Sequence, residues 1–352
     1  MRNKYFVSII WGYFEHFYEL APEENYHLHI LKVAKELGFS PVVIIRRSKY
    51  LIENDPNFDK DIKVIEYVNN WQFFIEVFKL VFKNSVFYVN SYEWQSFVIP
   101  FLSRRTIFMA HTQPKRQTIL KQKIQNFVYK FFSFIRLNNE DEKEYLISEG
   151  VSLKKLFVVP LVVSTEVFKL KTEVNERKNL VYFGNITEKK NLLTIIKAFE
   201  VVKLKKPDLK LNIIGNLWDK KVKEYASKSL FNIDILFLGF MPNDTLVLKL
   251  NENAVYLNSS FDEGQCVAVY DAALCGCSLC LPNIMSFRGV FKDKALFHEV
   301  CDYEQLSKNI IKYLDDVNLV THHREACLKM IKDNYNKEIV EKKIAELILK
   351  FK

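Results

Sequence analysis

The sequence predicts an α/β chain of two doubly wound domains, and three observations carry this. Short β-branched and aromatic runs alternate with amphipathic helical segments along the whole length. The rhythm breaks once, over a polar and charged stretch around 161–179, and then restarts. A chain of 352 residues has the length of about two domains, and 49% apolar residues suffice for packed cores.

In the first half the predicted strands are YFVSIIW (5–11), PVVIIR (41–46), VFYVN (86–90), TIFMA (106–110), FIRLN (134–138) and LFVVP (156–160). Helical patterns fall between them, including YHLHILKVAKEL (26–37), with Gly38 placed as its C-cap, and WQFFIEVFKLVF (71–82). The second half repeats the scheme with NLVYFG (179–184), LKLNIIG (209–215), DILFLG (234–239), AVYLN (254–258) and SLCLP (278–282), and with a helix over 191–205. Strands alternating with helices make parallel sheets covered on both faces. The expected domains are 1–168 and 169–325, and the amphipathic Lys- and Glu-rich end, 326–352, is expected to cross back to the first domain.

Composition narrows the function classes. No apolar run approaches the ~18–20 residues of a membrane-spanning helix. The start, MRNKYFVSIIWGYFEHF, lacks a small-residue cleavage site and meets Glu15 early, so it reads as a first buried strand and the protein as cytoplasmic. Six cysteines are too sparse for a disulfide scaffold. Cys275, Cys277 and Cys280 are spaced CxCxxC without a second zinc-type pair, so they read as core thiols and no metal is expected. The net charge of +9 points to an anionic partner. Its distribution is uneven: from Trp94 to Asn139 there is no acid, while Arg104, Arg105, Lys115, Arg116, Lys121, Lys123, Lys130 and Arg136 are all basic. No nucleic-acid-binding motif accompanies this charge, so nucleic acid is not the expected partner.

Two stretches carry candidate chemistry. In FGNITEKKNLLTIIKAF (183–199) a strand ends at Gly184, and Lys189, Lys190 and Asn191 precede a helix. Free N–H groups and the helix dipole favour an anion there, and a lysine adds a charge suited to phosphate. A solvated helix start would carry the same residues. Neither GxxxxGK[ST] nor GxGxxG occurs, which argues against a Walker loop and against a dinucleotide oxidoreductase. In DEGQCVAVYDAALCGCSLCLP (262–282) Glu263 and Asp271 stand eight apart, the first in a loop and the second in the following helix's second turn. Two carboxylates so placed could grip the vicinal diols of two polyhydroxylated rings. The alternative is an acid favoured by the helix dipole followed by an exposed helix acid.

The order of these motifs resembles the donor domain of family-4 retaining glycosyltransferases of the GT-B fold. FGNITEKKNLLTIIKAF is followed by PDLKLNIIG, LFLGFM and LNSSFDEGQCVAVYDAALCGCSLCLPNI, and then by FRGVFKDKALF and YEQLSKNIIKYLDD. With NEDEKEYLISEGVSLKKLFVVPLVVSTEVF the likeness covers about 137–316. The resemblance implies two Rossmann-like domains facing a cleft and a nucleotide-sugar donor held without cofactor or essential metal. It puts Lys190 on the diphosphate, Glu263 on the transferred sugar and Asp271 on the ribose. Gly184, Asn185, Gly264, Gln265, Cys266 and Val267 would complete the donor site. The implied activity is that of a hexosyltransferase-type enzyme in cell-surface polysaccharide or glycolipid synthesis, with a glycan or lipid-linked acceptor. A pair of domains that binds the donor without turnover is the alternative, as is an epimerase or phosphorylase on the same scaffold. Asn185 replaces the family's usual basic residue, Asp271 its usual Glu, and Glu23 and Glu24 stand where paired glycines are common.

A histidine ends the strand in MAHTQPKR (109–116), and the resemblance places His111 against the transferred sugar. His16 is a weaker candidate near the acceptor, and the His322–His323 pair reads as solvated. In QTILKQKIQNFVYKFF (117–132) Leu120, Ile124, Phe127, Val128 and Phe131 share a helical face flanked by Lys121, Lys123 and Lys130. That face either packs on the core or lies on an anionic membrane. The acid-free span favours a membrane surface contacted through 104–136, on the inner, cytoplasmic side.

Overall fold

A computed structural model describes residues 4–10, 26–47, 59–90, 94–110, 119–171 and 177–352. It divides the chain into two compact units, Met1–Val162 with Lys337–Lys352, and Val163–Asn336. The divisions therefore fall at 162/163 and 336/337, beside the 168/169 and 325/326 that the composition suggests.

The first unit carries a sheet of seven strands: β1 (Tyr5–Ile10), β2 (Ser40–Arg46), β3 (Lys63–Tyr67), β4 (Val86–Val89), β5 (Thr106–Met109), β6 (Phe134–Leu137) and β7 (Leu156–Val158). The second carries six: β8 (Asn179–Phe183), β9 (Leu211–Ile214), β10 (Ile235–Gly239), β11 (Asn253–Leu257), β12 (Ser278–Pro282) and β13 (Leu296–His298). Their orders are β3-β2-β1-β4-β5-β6-β7 and β10-β9-β8-β11-β12-β13, with every recorded pairing parallel. In each sheet the chain winds outward from the first strand, returns, and winds out the other way. The reversal leaves a switch point between β1 and β4, and another between β8 and β11. Ligands of open α/β sheets bind at the carboxyl ends of the strands at such points.

Alternation along the strands shows why both faces need helices. Val7, Ile9, Phe87, Val89 and Phe108 pack on one side of the first sheet, with Phe73, Val77 and Leu80 of the helix Asn70–Val81 and Val128 and Tyr129 of the helix Ile119–Tyr129. Phe6, Val86, Tyr88, Ile107 and Met109 pack on the other, against the helices Tyr26–Glu36 and Lys337–Leu349. The returning helix is pinned there by Val340, Ile344, Leu347 and Ile348, and by Glu341, whose Oε1 lies 2.8 Å from His29 Nε2. Gly38 closes the helix Tyr26–Glu36 at φ +82°, where the Leu37–Gly38 turn lets Phe39 N–H donate to Ala34 O at 3.0 Å.

The eleven expected strands are present within one or two residues, and two more exist. The edge strand β3, KVIEY, is half polar, and β13 is three residues long at the opposite edge of the other sheet. Short edge strands with charged positions carry little periodic signal. The late helical stretch is two helices, Val317–Asn334 and Lys337–Leu349. His323 is buried rather than solvated, its Nδ1 2.7 Å from Tyr313 Oη, while His322 is exposed.

Two members of the basic span serve the interior. Arg136 is buried and donates to Val159 O and Pro160 O at 2.7 Å each, and to Tyr88 Oη at 3.1 Å. Arg105 donates to Phe351 O and lies over the Phe351 ring. Arg136, at 1% exposure, is not placed to meet a membrane. Among the described residues no helix is long and apolar enough to cross one.

Candidate functional site

The loops that leave β8 and β11 meet at the second sheet's switch point. The β8 loop begins at Gly184, whose N–H donates to Ile214 O at 3.0 Å, and Gly215 follows β9 beside it. A Cβ on Gly215 would stand 2.0 Å from Gly184 O, and its φ is +138°. Glycine is required there because the two backbones leave adjacent strands almost in contact. The loop then makes a short turn over Glu188–Lys190 and enters the helix Leu192–Lys203 through Asn191, a left-handed residue at φ +51°. Thr194 Oγ1 donates to Asn191 Oδ1 at 3.1 Å, which holds Asn191 in that strained conformation.

The β11 loop runs through the buried residues Asn258, Ser259, Ser260, Asp262, Glu263 and Gln265 to the helix Val267–Leu274. Asn258 accepts from Ser260 N–H at 2.9 Å, a local turn that lets a polar loop be buried with its backbone satisfied. Cys266 precedes the helix at φ +52°, a conformation uncommon for a residue with a Cβ.

Four contacts fasten the loops together. Phe261 N–H donates to Lys189 O at 3.0 Å, and Asn191 Nδ2 donates to Ser259 Oγ at 3.3 Å. Lys189 Nζ lies 2.7 Å from Asp262 Oδ1, and Lys190 Nζ lies 2.5 Å from Glu263 Oε1. Ser260 Oγ donates to that same Glu263 oxygen at 2.7 Å. The Glu263 side chain is 6% exposed and that of Lys190 20%, so the pair is largely withdrawn from water but reachable from one side.

Burial works to lower the Lys190 pKa, yet Glu263 and the other anionic neighbours outweigh it and leave the ammonium above its ordinary value. Lys190 is therefore a fixed cation through neutral pH and not a proton donor. Burial pushes the Cys266 thiol up to about 12, with the Glu263 carboxylate adding to the effect, so it is neutral and unreactive as a nucleophile. Tyr182 and Tyr256, the buried phenols beneath the loops, are raised well above their usual value by desolvation. They donate to Asn185 O at 3.0 Å and to Phe183 O at 3.2 Å. A carboxylate, a permanent ammonium and the first-turn amides of a helix can grip hydroxyls and phosphates.

The structure thus brings Lys190, Glu263, Gly264, Gln265, Cys266 and Val267 together with Gly184 and Asn185 on the ends of two adjacent strands. Asn185 is exposed. Asp271 is 6% exposed, which removes the reading of Asp271 as an exposed helix acid. His111, His16, Glu23, Glu24, Lys115, Arg116 and the side chain of Lys121 lie outside the described residues. Cys275, Cys277 and Cys280 are buried in the core, where desolvation pushes all three thiols up.

Sequence reasoning passed over Tyr182, Tyr256, Asn258, Ser260 and Asp262. It also passed over His298, whose ring nitrogens lie 3.1 Å from Asn258 O and Glu299 O. The run NSSFDEG did hold a signal, since Asn, Ser and Asp ending a strand favour a side-chain-bonded turn.

Known proteins share this fold. Residues 164–337, nearly all of the second unit, match the family of glycosyl transferases group 1, and that unit belongs to it. A phosphatidylinositol N-acetylglucosaminyltransferase subunit of Arabidopsis thaliana is 23% identical over 146 residues, 40% of this chain. The stretch spans 32% of that relative's length. A glycosyltransferase from Rickettsia africae superposes over 100% of this chain and 99% of its own, with a TM-score of 0.78 at 15% identity. Anabaena HepE in complex with UDP-glucose covers 99% of both chains at 0.78 and 13% identity. The sucrose-phosphate synthase of Thermosynechococcus elongatus does so at 0.76 and 12%. The fold is GT-B.

Proposed function

We propose, from a second unit of the group 1 family, that this chain is a retaining, metal-independent glycosyltransferase. Its donor would be a nucleotide-diphosphate-sugar and its acceptor a glycan or lipid-linked molecule in cell-surface polysaccharide or glycolipid synthesis, on the cytoplasmic side of a membrane. The observation that carries this reading is the Lys190–Glu263 pair across the β8 and β11 loops. A protonated lysine and a buried carboxylate sharing one contact can each pass to a ligand, the lysine to phosphate oxygens and the carboxylate to sugar hydroxyls. Asp271 would take the ribose hydroxyls and His111 the transferred sugar, with the amides of Gly264 to Val267 around the diphosphate.

The difficult step is breaking the anomeric C–O bond as its electron pair moves onto the diphosphate. Lys190 and the helix N-terminus would stabilise that growing charge, a preorganised electrostatic effect. The acceptor oxygen forms the new bond on the same face, and its proton leaves on the departing diphosphate. No protein nucleophile is required, in keeping with the neutral Cys266.

The test is a thermal-shift screen of the full chain against nucleotide-sugars, followed by assay of transfer with a chelator present. A rise in Tm with one nucleotide class, and a product that keeps the anomeric configuration, are expected. An inverted product, or no donor effect on Tm, would sink the reading. A second reading, donor binding without turnover, draws on the exposed Asn185 where a cation would help the leaving group. It predicts the same Tm rise with no transfer.

A further inference from the structure

We propose that the outer face of the first unit, formed by the helices Asn70–Val81 and Ile119–Tyr129 and the short helical connection between them, is a monotopic docking surface for an anionic lipid interface. This deepens the membrane part of the functional reading but does not depend on sugar transfer.

The helix Ile119–Tyr129 is oriented against its own amphipathicity. Its apolar stripe, Leu120, Ile124 and Phe127, continued by Phe131, is exposed. Its polar Gln125 and Asn126 point inward, where Gln125 Nε2 donates to Tyr129 Oη and Asn126 Nδ2 donates to Glu149 Oε2 at 2.8 Å. A helix in water would bury the stripe and solvate the amides. The helix Asn70–Val81 is apolar on two sides. Phe73, Val77 and Leu80 pack on the sheet, while Trp71, Ile75, Phe78 and the following Phe82 face out, Trp71 81% and Phe82 75% exposed.

Both helices cover the same side of the first sheet, because their buried residues share one core cluster with Phe87, Val89 and Phe108. Aromatic contacts continue the face between them. Phe74 lies 5.8 Å from Trp94, Phe101 lies 4.7 Å from Phe131, and Phe127 lies 5.2 Å from Phe131. At roughly 150–250 Å² per full aromatic side chain, the exposed tryptophans and phenylalanines present more than the ~300–600 Å² patch of an ordinary monomer.

Charge selects the occupant. Lys79, Lys83, Arg104, Lys123 and Lys130 are exposed around these stripes. Glu76 is bound to Lys79 at 2.6 Å, and from Trp94 to Asn139 the sequence holds no acid, the helix Glu140–Ser148 beginning beyond the aromatic stripes. Two copies meeting through this face would oppose like charges, whereas an anionic leaflet attracts them. Exposed Trp and Phe among lysines suit the depth of the headgroups.

The test is flotation of the full chain with vesicles of phosphatidylcholine plus phosphatidylglycerol, and with phosphatidylcholine alone, at low and high salt. The parent should float with the anionic vesicles and keep part of its binding in high salt. Trp71→Ser/Phe78→Ser/Phe127→Ser should reduce partition by more than about tenfold at either salt, with Tm held. Lys123→Glu/Lys130→Glu should lose the low-salt gain and keep the salt-resistant part. Flotation with neither vesicle, or equally with both, overturns the proposal. So does a dimer in solution that the triple variant dissociates, which would make a second copy the occupant. Donor-induced Tm shifts test the enzymatic reading separately, so the two can fail independently.

Discussion

In the second unit the loops after β8 and β11 draw Lys189, Lys190, Asp262 and Glu263 into pairs, with both carboxylates nearly buried. In the first unit two helices turn Trp71, Phe78, Phe82 and Phe127 outward. Each region reverses the usual partition of polar and apolar groups, the one by burying charge and the other by exposing aromatics. Buried polar groups and exposed apolar patches are the informative departures in a folded chain. The difference lies in what answers them. The buried charges are answered within the chain, by each other and by Ser260, which fastens the two loops together and suits a rigid receptor. The exposed aromatics find no such answer among the described residues, which suits an extended, non-specific surface.

The comparison can be broken most directly at Lys190. Lys190→Ala should lower kcat/KM for transfer by about 10²–10³-fold, the cost of one donor aimed at developing charge. Bare nucleoside should bind as before. The variant also leaves Glu263 without its ammonium, so its Tm should fall. Lys190→Met/Glu263→Gln should recover Tm without recovering transfer, because an uncharged pair avoids desolvating charge and the amide still accepts from Ser260. Transfer at the parental rate by Lys190→Ala would end the claim that this buried pair is a receptor.

Gly215→Ala tests whether the strand ends are rigid. The added Cβ meets Gly184 O and the residue must keep φ near +138°. A loss of about 2–4 kcal/mol is expected, read as a fall of roughly 4–16 °C in the second unit's Tm. A change within a degree would mean that the loops are looser than their contacts imply.

Asp271→Ala and Glu263→Ala separate the two carboxylates. The first should weaken nucleoside diphosphate binding by on the order of 1–3 kcal/mol in calorimetry. The second should chiefly impair transfer. If Glu263→Ala weakens the bare diphosphate more, the two roles are exchanged.

The smallest effect concerns acid. His298 is fully buried, its ring nitrogens near the Asn258 and Glu299 carbonyls, and desolvation prevails over the attraction of Asp302 and Glu299 to hold it down, at about 4 against an ordinary 6.5. Between those values the unfolded chain binds a proton that the folded unit refuses, so stability falls as pH falls through that window. Across the whole window the loss is on the order of 3 kcal/mol. The parent's Tm should therefore drop between pH 7 and pH 4.5 by more than that of His298→Gln. Parallel pH profiles would remove this histidine from the account.

Read alone, the sequence determined the alternation of strand and helix, because β-branched runs such as VVII and amphipathic runs such as LLTIIKAF differ in period. It also determined the placing of Lys190 and Glu263 beside the ends of two strands, because glycine and turn residues mark those ends. It did not show that the two acids are buried, that β3 and β13 close the sheets, or that Arg136 serves the core. Nor did it choose which side of the helix Ile119–Tyr129 meets the sheet. Periodicity records that a helix has an apolar side, and only the packing of neighbouring elements decides whether that side is covered. Gln125 and Asn126 find Tyr129 and Glu149 beneath them, while Ile124 and Phe127 remain in solvent. The Lys190–Glu263 contact joins residues 73 apart, and the order β8–β11 that creates it comes from crossover topology, which no local run of residues encodes.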